Sequence, residues 1–312
     1  MKSEVIKLIP GRDDVTLTTY IWSDSPELLD GRKRPAVIVC PGGAYLNCSD
    51  REGEPVALAF ARMGFHAFVL RYSVAMDAGE NGWAMDLSER EPKPERMHPQ
   101  PMRDIALAFE CLHNHSDEWL VDMSQVAICG FSAGAHNCAM YSTHWHLPVI
   151  TEYVEAPKEA LKPAACVLGY GITDYVYMRE QLEGDKDAFA FFNGSNRQFL
   201  GKDWDKPETL LDASPARLVT ENTPPTFIWS TFKDGLVQVQ QSSIYATALA
   251  EGNVPFEIHI FQDGGHGMSC CDPSSVLAKS QIDGNAAQWV KLCENWIRNY
   301  LVISLPDETP WG

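Results

Sequence analysis

A mostly parallel α/β sheet with helices on both faces is the fold class this sequence predicts, and three observations carry the prediction. Short β-branched or apolar runs alternate with stretches of helical periodicity along almost all of the 312 residues, an order that sets successive strands parallel and sends the helices across the faces. Hydrophobic residues make up 45% and charged residues 21%, close to globular averages, so a disordered, collagen-like or coiled-coil chain is excluded. No internal repeat, low-complexity tract or linker breaks the alternation. One domain over 1–312, with cap-like insertions at about 76–101 and 173–211, is therefore preferred to two.

The elements follow in order. Val15 to Trp22 alternates as an early strand. Ala36 to Cys40 is a buried strand, stopped at once by Pro41-Gly42-Gly43. A helix runs from about Glu54 to Met63, with Pro55 tolerated in its first turn and Gly64 placed to end it. Phe65 to Tyr72 returns as a strand. Met76 to Pro101, rich in charge, Gly and Pro, is an irregular excursion, and Met102 to His113 is a helix with Ile105, Phe109 and Leu112 on one face. Val126 to Cys129 is a strand, and a helix opens after Ser132. Ala165 to Tyr170 is a strand, and Thr173 to Leu211 an aromatic, mixed-charge insertion. Thr226 to Thr231 (strand), Val239 to Glu251 (helix), Phe256 to Phe261 (strand) and a helix from about Ala286 to Leu301 complete the chain.

Charge narrows the partners. With 25 Lys and Arg against 42 Asp and Glu the formal charge is −17, a field that repels phosphate backbones and anionic lipid. Nucleic acid and membrane are not expected as partners, and a small neutral substrate is; a homo-oligomer is compatible with the sequence. The amino terminus shows no secretory signal and no run approaches a membrane span, so a cytoplasmic protein is expected. Nine cysteines, most in apolar surroundings such as those of Cys40, Cys129 and Cys166, suit reduced core thiols. Cys270-Cys271 has no second pair or nearby His at zinc-ligand spacing, and His144 with His146 reads as a helix end. No metal or cofactor is called for.

Chemistry concentrates at four places. Gly130-Phe131-Ser132-Ala133-Gly134 fits G-x-S-x-G between a strand and a helix, the elbow that exposes a serine hydroxyl, its glycines removing Cβ atoms from a sharp turn. Serine needs a base to take its proton. Of nine histidines, His266 in Gly264-Gly265-His266-Gly267 stands in a loop just beyond the last strand. His259 lies within that strand and His136 within the helix after the elbow, so both are read as packed. The base needs a carboxylate to hold its tautomer, and Asp234, after the strand preceding the last, is preferred. Asp263 competes but stands only three residues from His266; Asp174, after another strand, stays open. Pro41-Gly42-Gly43-Ala44-Tyr45 can turn amides inward, so Gly43, Ala44 and Ala133 are the candidate oxyanion donors.

The combination PGGAY, GFSAG, TPPTFIWSTFKDGLV and FQDGGHG resembles the α/β-hydrolase superfamily, in particular carboxylesterases related to hormone-sensitive lipase and to bacterial acetyl-xylan and feruloyl esterases, from about Pro35 to Leu301. The resemblance implies an α/β-hydrolase fold and a serine carboxylesterase with Ser132 as nucleophile, His266 as base, Asp234 as its orienting acid and an oxyanion hole from Gly43, Ala44 and Ala133. Many lipase-like relatives carry His-Gly-Gly-Gly where this chain has Pro41-Gly42-Gly43-Ala44, which favours the sugar-esterase branch. The expected reaction is hydrolysis of short-chain acyl esters, such as acetyl groups on sugars or oligosaccharides, through an acyl-enzyme. Trp83, Tyr175, Tyr177, Phe191 and Phe192 in the insertions are candidates for stacking on a ring or for the core of a small cap. A peptidase of the same fold and a catalytically silent binding protein are the alternatives.

Overall fold

The computed structural model describes residues 1–87 and 90–308; residues 88–89 of the first expected insertion and 309–312 of the expected domain lie outside the described residues. The elements are β1 (Val5–Ile9), β2 (Arg12–Tyr20), β3 (Arg34–Cys40), α1 (Glu54–Arg62), β4 (His66–Arg71), α2 (Gln100–Asn114), β5 (Val121–Phe131), α3 (Ala133–His144), α4 (Pro148–Thr151), β6 (Ala165–Gly169), α5 (Tyr175–Gln181), α6 (Lys186–Leu200), α7 (Pro207–Asp212), β7 (Thr226–Thr231), α8 (Gln240–Glu251), β8 (Phe256–Phe261) and α9 (Gln288–Ile297). The strands form one sheet in the order β1-β2-β4-β3-β5-β6-β7-β8, with β1/β2 and β2/β4 antiparallel and every later pair parallel. This is the α/β-hydrolase architecture the resemblance implied.

The β-branched runs become the central strands because they are covered on both faces: β3 and β7 are buried at every position. Alternate side chains supply two cores. Ala36, Ile38 and Cys40 point with Phe68 and Ile128 toward α2 and α3, whereas Val37 and Val39 point with Val69 and Trp229 toward α1 and α9. The chain winds from β3 across to β4 by way of α1, then returns to the other side of β3 as β5 by way of α2. The order reverses between β3 and β5, and the crevice outside their carboxyl ends is where a parallel sheet of this kind presents a ligand site.

Three differences from the sequence reading have local causes. β1 was not anticipated, although Val5, Ile6, Leu8 and Ile9 make an apolar run: it is an edge strand with Val5 exposed, and it pairs with β2 around the Pro10-Gly11 turn. β5 starts at Val121, five residues before the expected run: Val121 is buried and pairs with Arg34, and the mostly polar, less buried residues up to Gln125 form an irregularity before pairing resumes at Val126. The second insertion is helical (α5, α6, α7), packing Tyr175, Phe192 and Trp204 into a small core of its own. All nine cysteines are free thiols and all but Cys48 are buried; burial pushes Cys166 and Cys270 up to about 12. No helix among the described residues is long and apolar enough to cross a membrane.

Candidate active site

The crevice at the β3–β5 boundary holds the serine. Phe131 ends β5 and Ala133 begins α3, so the turn is made by Ser132 alone, at φ 51° and ψ −119°. Two glycines permit it. A Cβ on Gly130 would stand 2.2 Å from the carbonyl oxygen of Gly134, and one on Gly134 would stand 2.0 Å from that of Cys40. The turn is fastened by Ser132 N donating to Gly169 O at 2.9 Å and by the first helical bond, His136 N to Ser132 O at 3.0 Å.

His266 arrives from the loop after β8. Thr231 Oγ1 donates to Gly264 O at 2.8 Å and Arg51 Nη1 to Gly267 O at 2.9 Å, which hold that loop at both ends. His266 Nε2 lies 2.8 Å from Ser132 Oγ, and its Nδ1 lies 2.8 Å from Asp234 Oδ2. Asp234 is fully covered and its other oxygen accepts from the amides of Leu236 and Val237 at 2.9 and 3.0 Å. A carboxylate so placed accepts a hydrogen bond from Nδ1–H, which leaves Nε2 free to accept from the serine hydroxyl. The competing carboxylates point elsewhere. Asp263 forms an ion pair with Lys233 on the surface. Asp174 caps α5 through Tyr177 N at 2.9 Å and pairs with Arg217 at 2.9 Å.

The turn after β3 supplies the amides. Gly43 has φ 134°, and a Cβ there would stand 1.9 Å from Asn47 O; Ala44 and Tyr45 follow at φ 56° each. Among the described residues nothing accepts from the amides of Gly43, Ala44 or Ala133, and Ala44 and Ala133 line the same cleft as Ser132. Ala133 also opens α3, where the helix dipole favours negative charge.

Four supporting residues were not singled out for these roles by the sequence. Glu52, buried beneath the turn, accepts from Gly42 N at 2.8 Å and from Tyr170 OH at 2.7 Å. Tyr170 OH in turn accepts from Ser269 N at 2.9 Å, and its ring meets that of His266 edge-on at 5.1 Å. His136 Nε2 faces Ala213 O at 2.8 Å and must donate to it, so Nδ1 accepts from Tyr45 OH at 2.6 Å. Burial pushes His136 down to about 3, which keeps it neutral. Tyr45 also stacks on Phe199 at 3.6 Å. The Gly43–Tyr45 turn is thus tied to α3 one helical turn beyond Ser132, and all of these bonds except Gly42–Glu52 join residues far apart in sequence, which local spacing does not reveal.

Above the serine the two insertions meet. Trp83 from the first lies parallel to Phe191 from the second, with centroids 5.2 Å apart, and both line the cleft with Tyr175 and Phe192. Tyr177 does not: it lies in a separate open groove of about 460 Å³ along α8, beside Asp174 and Arg217. The cavity beside Ser132 is about 20 Å³. Two other histidines weighed in the sequence are engaged elsewhere. His144 Nδ1 donates to Met140 O at 2.8 Å, and His259 Nε2 lies 2.7 Å from Glu257 on the same strand. No group of three metal-ligating side chains occurs among the described residues.

Comparison with known proteins gives this geometry its relatives. The chain is 31% identical over 241 residues to Endo-1,4-beta-xylanase B of Butyrivibrio fibrisolvens, covering 77% of this chain and 33% of that protein. It is 26% identical over 246 residues to an acetylxylan esterase of Xylanibacter ruminicola, covering 78% and 42%. The chain therefore spans a third to under half of the length of these two relatives. A crystal structure described as an acetyl ester-xyloside bifunctional hydrolase from Caldicellulosiruptor lactoaceticus superposes with a TM-score of 0.70 at 28% identity, covering 95% of this chain and 96% of that one. The BD-FAE family matches residues 28–249, a span that includes Gly43, Ser132 and Asp234 and stops short of His266. By that match, over well more than half its length, the chain belongs to the BD-FAE family.

Proposed function

We propose that the protein is a serine carboxylesterase that removes small acyl groups, acetyl foremost, from hydroxyls of sugars or oligosaccharides. The observation that carries the reading is the unbroken chain Asp234–His266–Ser132, with both links at 2.8 Å. Ser132 Oγ attacks the ester carbonyl while His266 Nε2 takes its proton and Asp234 steadies the imidazolium. The amides of Gly43, Ala44 and Ala133 meet the oxyanion, each such donor being worth about 3 kcal/mol in the transition state. His266 then returns the proton to the departing alcohol. Water, activated by the same imidazole, releases the acid from the acyl-serine.

Cleft size supports the acyl preference. The cavity beside Ser132 is small, about 20 Å³, and is walled by Ala44, Tyr45, Ile172 and Tyr175, which supports a short acyl group. The names borne by the xylan-active relatives support the alcohol. The test is a panel of p-nitrophenyl acetate, butyrate and octanoate, acetylated xylo-oligosaccharides and an aminoacyl-naphthylamide, with Ser132→Ala beside the wild type. Expected are a fall in kcat/KM from acetate to octanoate, turnover of the acetylated xylo-oligosaccharides, and a loss of kcat on the order of 10⁶ in the variant. A rise toward octanoate would reject the acyl preference, and naphthylamide as the best substrate would turn the reading to a peptidase.

A further inference from the structure

Asn196 stands on α6 in the wall of the Ser132 cleft, 3% exposed, and its Nδ2 is buried with no hydrogen-bond partner among the described residues. Its neighbour Ser195 is no help, because that hydroxyl is turned back to Phe192 O at 3.3 Å. An orphaned buried amide costs about 1–3 kcal/mol, and it is offset when a bound molecule brings the partner. Turning the amide over exchanges donor for acceptor at the same point. A hydroxyl, which does both, pairs with either orientation.

The rest of the cleft bears on the kind of molecule that brings the hydroxyl. Asn196 lines one cleft with Ser132, Ala44 and Ala133, so a group bonded to it lies beside the reacting ester. Trp83, 54% exposed and stacked on Phe191, offers a flat apolar surface at the cleft's open side. A ring with an apolar face and hydroxyls at its edge fits that surface.

We infer that Asn196 determines specificity by hydrogen-bonding a hydroxyl of the substrate's alcohol, beside the ester oxygen, so that the cleft selects acyl esters of polyhydroxylated rings over esters of simple alcohols. The inference rests on the reading of this cleft as the ester site. A phenolic hydroxyl on a hydroxycinnamoyl acyl group has the same hydrogen-bonding chemistry, and the experiment separates the two.

With the full chain, kcat/KM is measured for an acetylated methyl xyloside, the same compound deoxygenated at the carbon beside the ester, p-nitrophenyl acetate and methyl ferulate, in the wild type and in Asn196→Leu. The wild type should lose about tenfold or more on deoxygenation, the scale of one hydrogen bond. Asn196→Leu should lose about tenfold more on the intact xyloside than on p-nitrophenyl acetate, and should no longer distinguish the two xylosides. The inference is overturned if the wild type treats the two xylosides alike, if the variant slows every substrate by one factor, or if methyl ferulate suffers most. The deoxygenation arm needs no variant to fold. Retained turnover in Ser132→Ala would overturn the serine mechanism alone, since the paired xylosides read Asn196 whatever the nucleophile.

Discussion

Converting the Asp234 carboxylate to an amide leaves its shape intact and changes which histidine nitrogen carries the proton. The residue now spends one oxygen on Leu236 N and Val237 N and the other on His266 Nδ1. An amide group facing Nδ1 can present NH₂ to it, which favours the tautomer with the proton on Nε2, where it blocks acceptance from Ser132. Asp234→Asn should therefore lower kcat on the order of 10⁴, as the corresponding change does in a serine protease. Asp263→Asn, which removes only a surface pair with Lys233, should stay within about twofold, since exposed pairs are worth about 0–1 kcal/mol. Steady-state kinetics on p-nitrophenyl acetate checks both, and a reversed order would reassign the acid.

Helix α3 approaches β3 so closely that its first turn touches the backbone at the end of that strand. A Cβ on Gly134 would stand 2.0 Å from Cys40 O and 2.5 Å from Pro41 O, and neither atom is the end of a flexible side chain. Gly134→Ala must push the helix off the strand, moving the Ala133 amide and the turn at Gly42 and Gly43 apart. Ordinary overpacking costs about 1–3 kcal/mol; with backbone on both sides, roughly 3 kcal/mol or more is expected, together with a drop in kcat. Urea unfolding measures the first and ester hydrolysis the second. Wild-type stability in this variant would mean that α3 has more play than its contacts indicate.

Over the whole molecule, burial lowers His66, His98, His136, His144 and His146 and raises Asp104, and the four with the largest shifts weigh most in how stability responds to acid. Burial pushes His66 and His98 down to about 4 and His136 to about 3. All three are neutral in the native state, whereas the unfolded chain takes up their protons as pH falls through about 6.5. The unfolded state binds more protons in that window, so these groups cost stability progressively from about pH 6.5 down to about 4. Asp104 acts the other way. Burial raises it to about 6, despite bonds from Ser73 N at 2.6 Å and Gln100 Nε2 at 2.8 Å. Its native form gains a proton before the unfolded form does, which returns stability between about pH 6 and the ordinary aspartate value near 3.9. Three losses against one gain leave a net fall on the order of several kcal/mol between pH 6.5 and 4. Urea midpoints across that range test it; His98→Gln should flatten the slope, and a midpoint constant with pH would refute the assignment of neutral buried histidines.

The sequence alone determined the alternation of strand and helix, the place of the elbow serine and the loop that carries His266, because these are written in short periodicities and in glycines a few residues apart. It placed β7 and β8 at their observed bounds, since each is a run of β-branched and aromatic residues bounded by turn residues. It missed β1, a five-residue edge strand whose Val5, Ile6, Leu8 and Ile9 are apolar but which becomes a strand only by pairing with β2. Which carboxylate faces His266 was decided only in three dimensions, where a cap on α5 occupies Asp174 and Lys233 draws Asp263 outward. The same holds for the struts of the site. Glu52 meets Tyr170 across 118 residues of chain and Tyr45 meets His136 across 91, and Asn196 lines the Ser132 cleft only because α6 folds over the sheet's edge. Such pairs exist once the strands have stacked in order, and no local propensity in the chain records them.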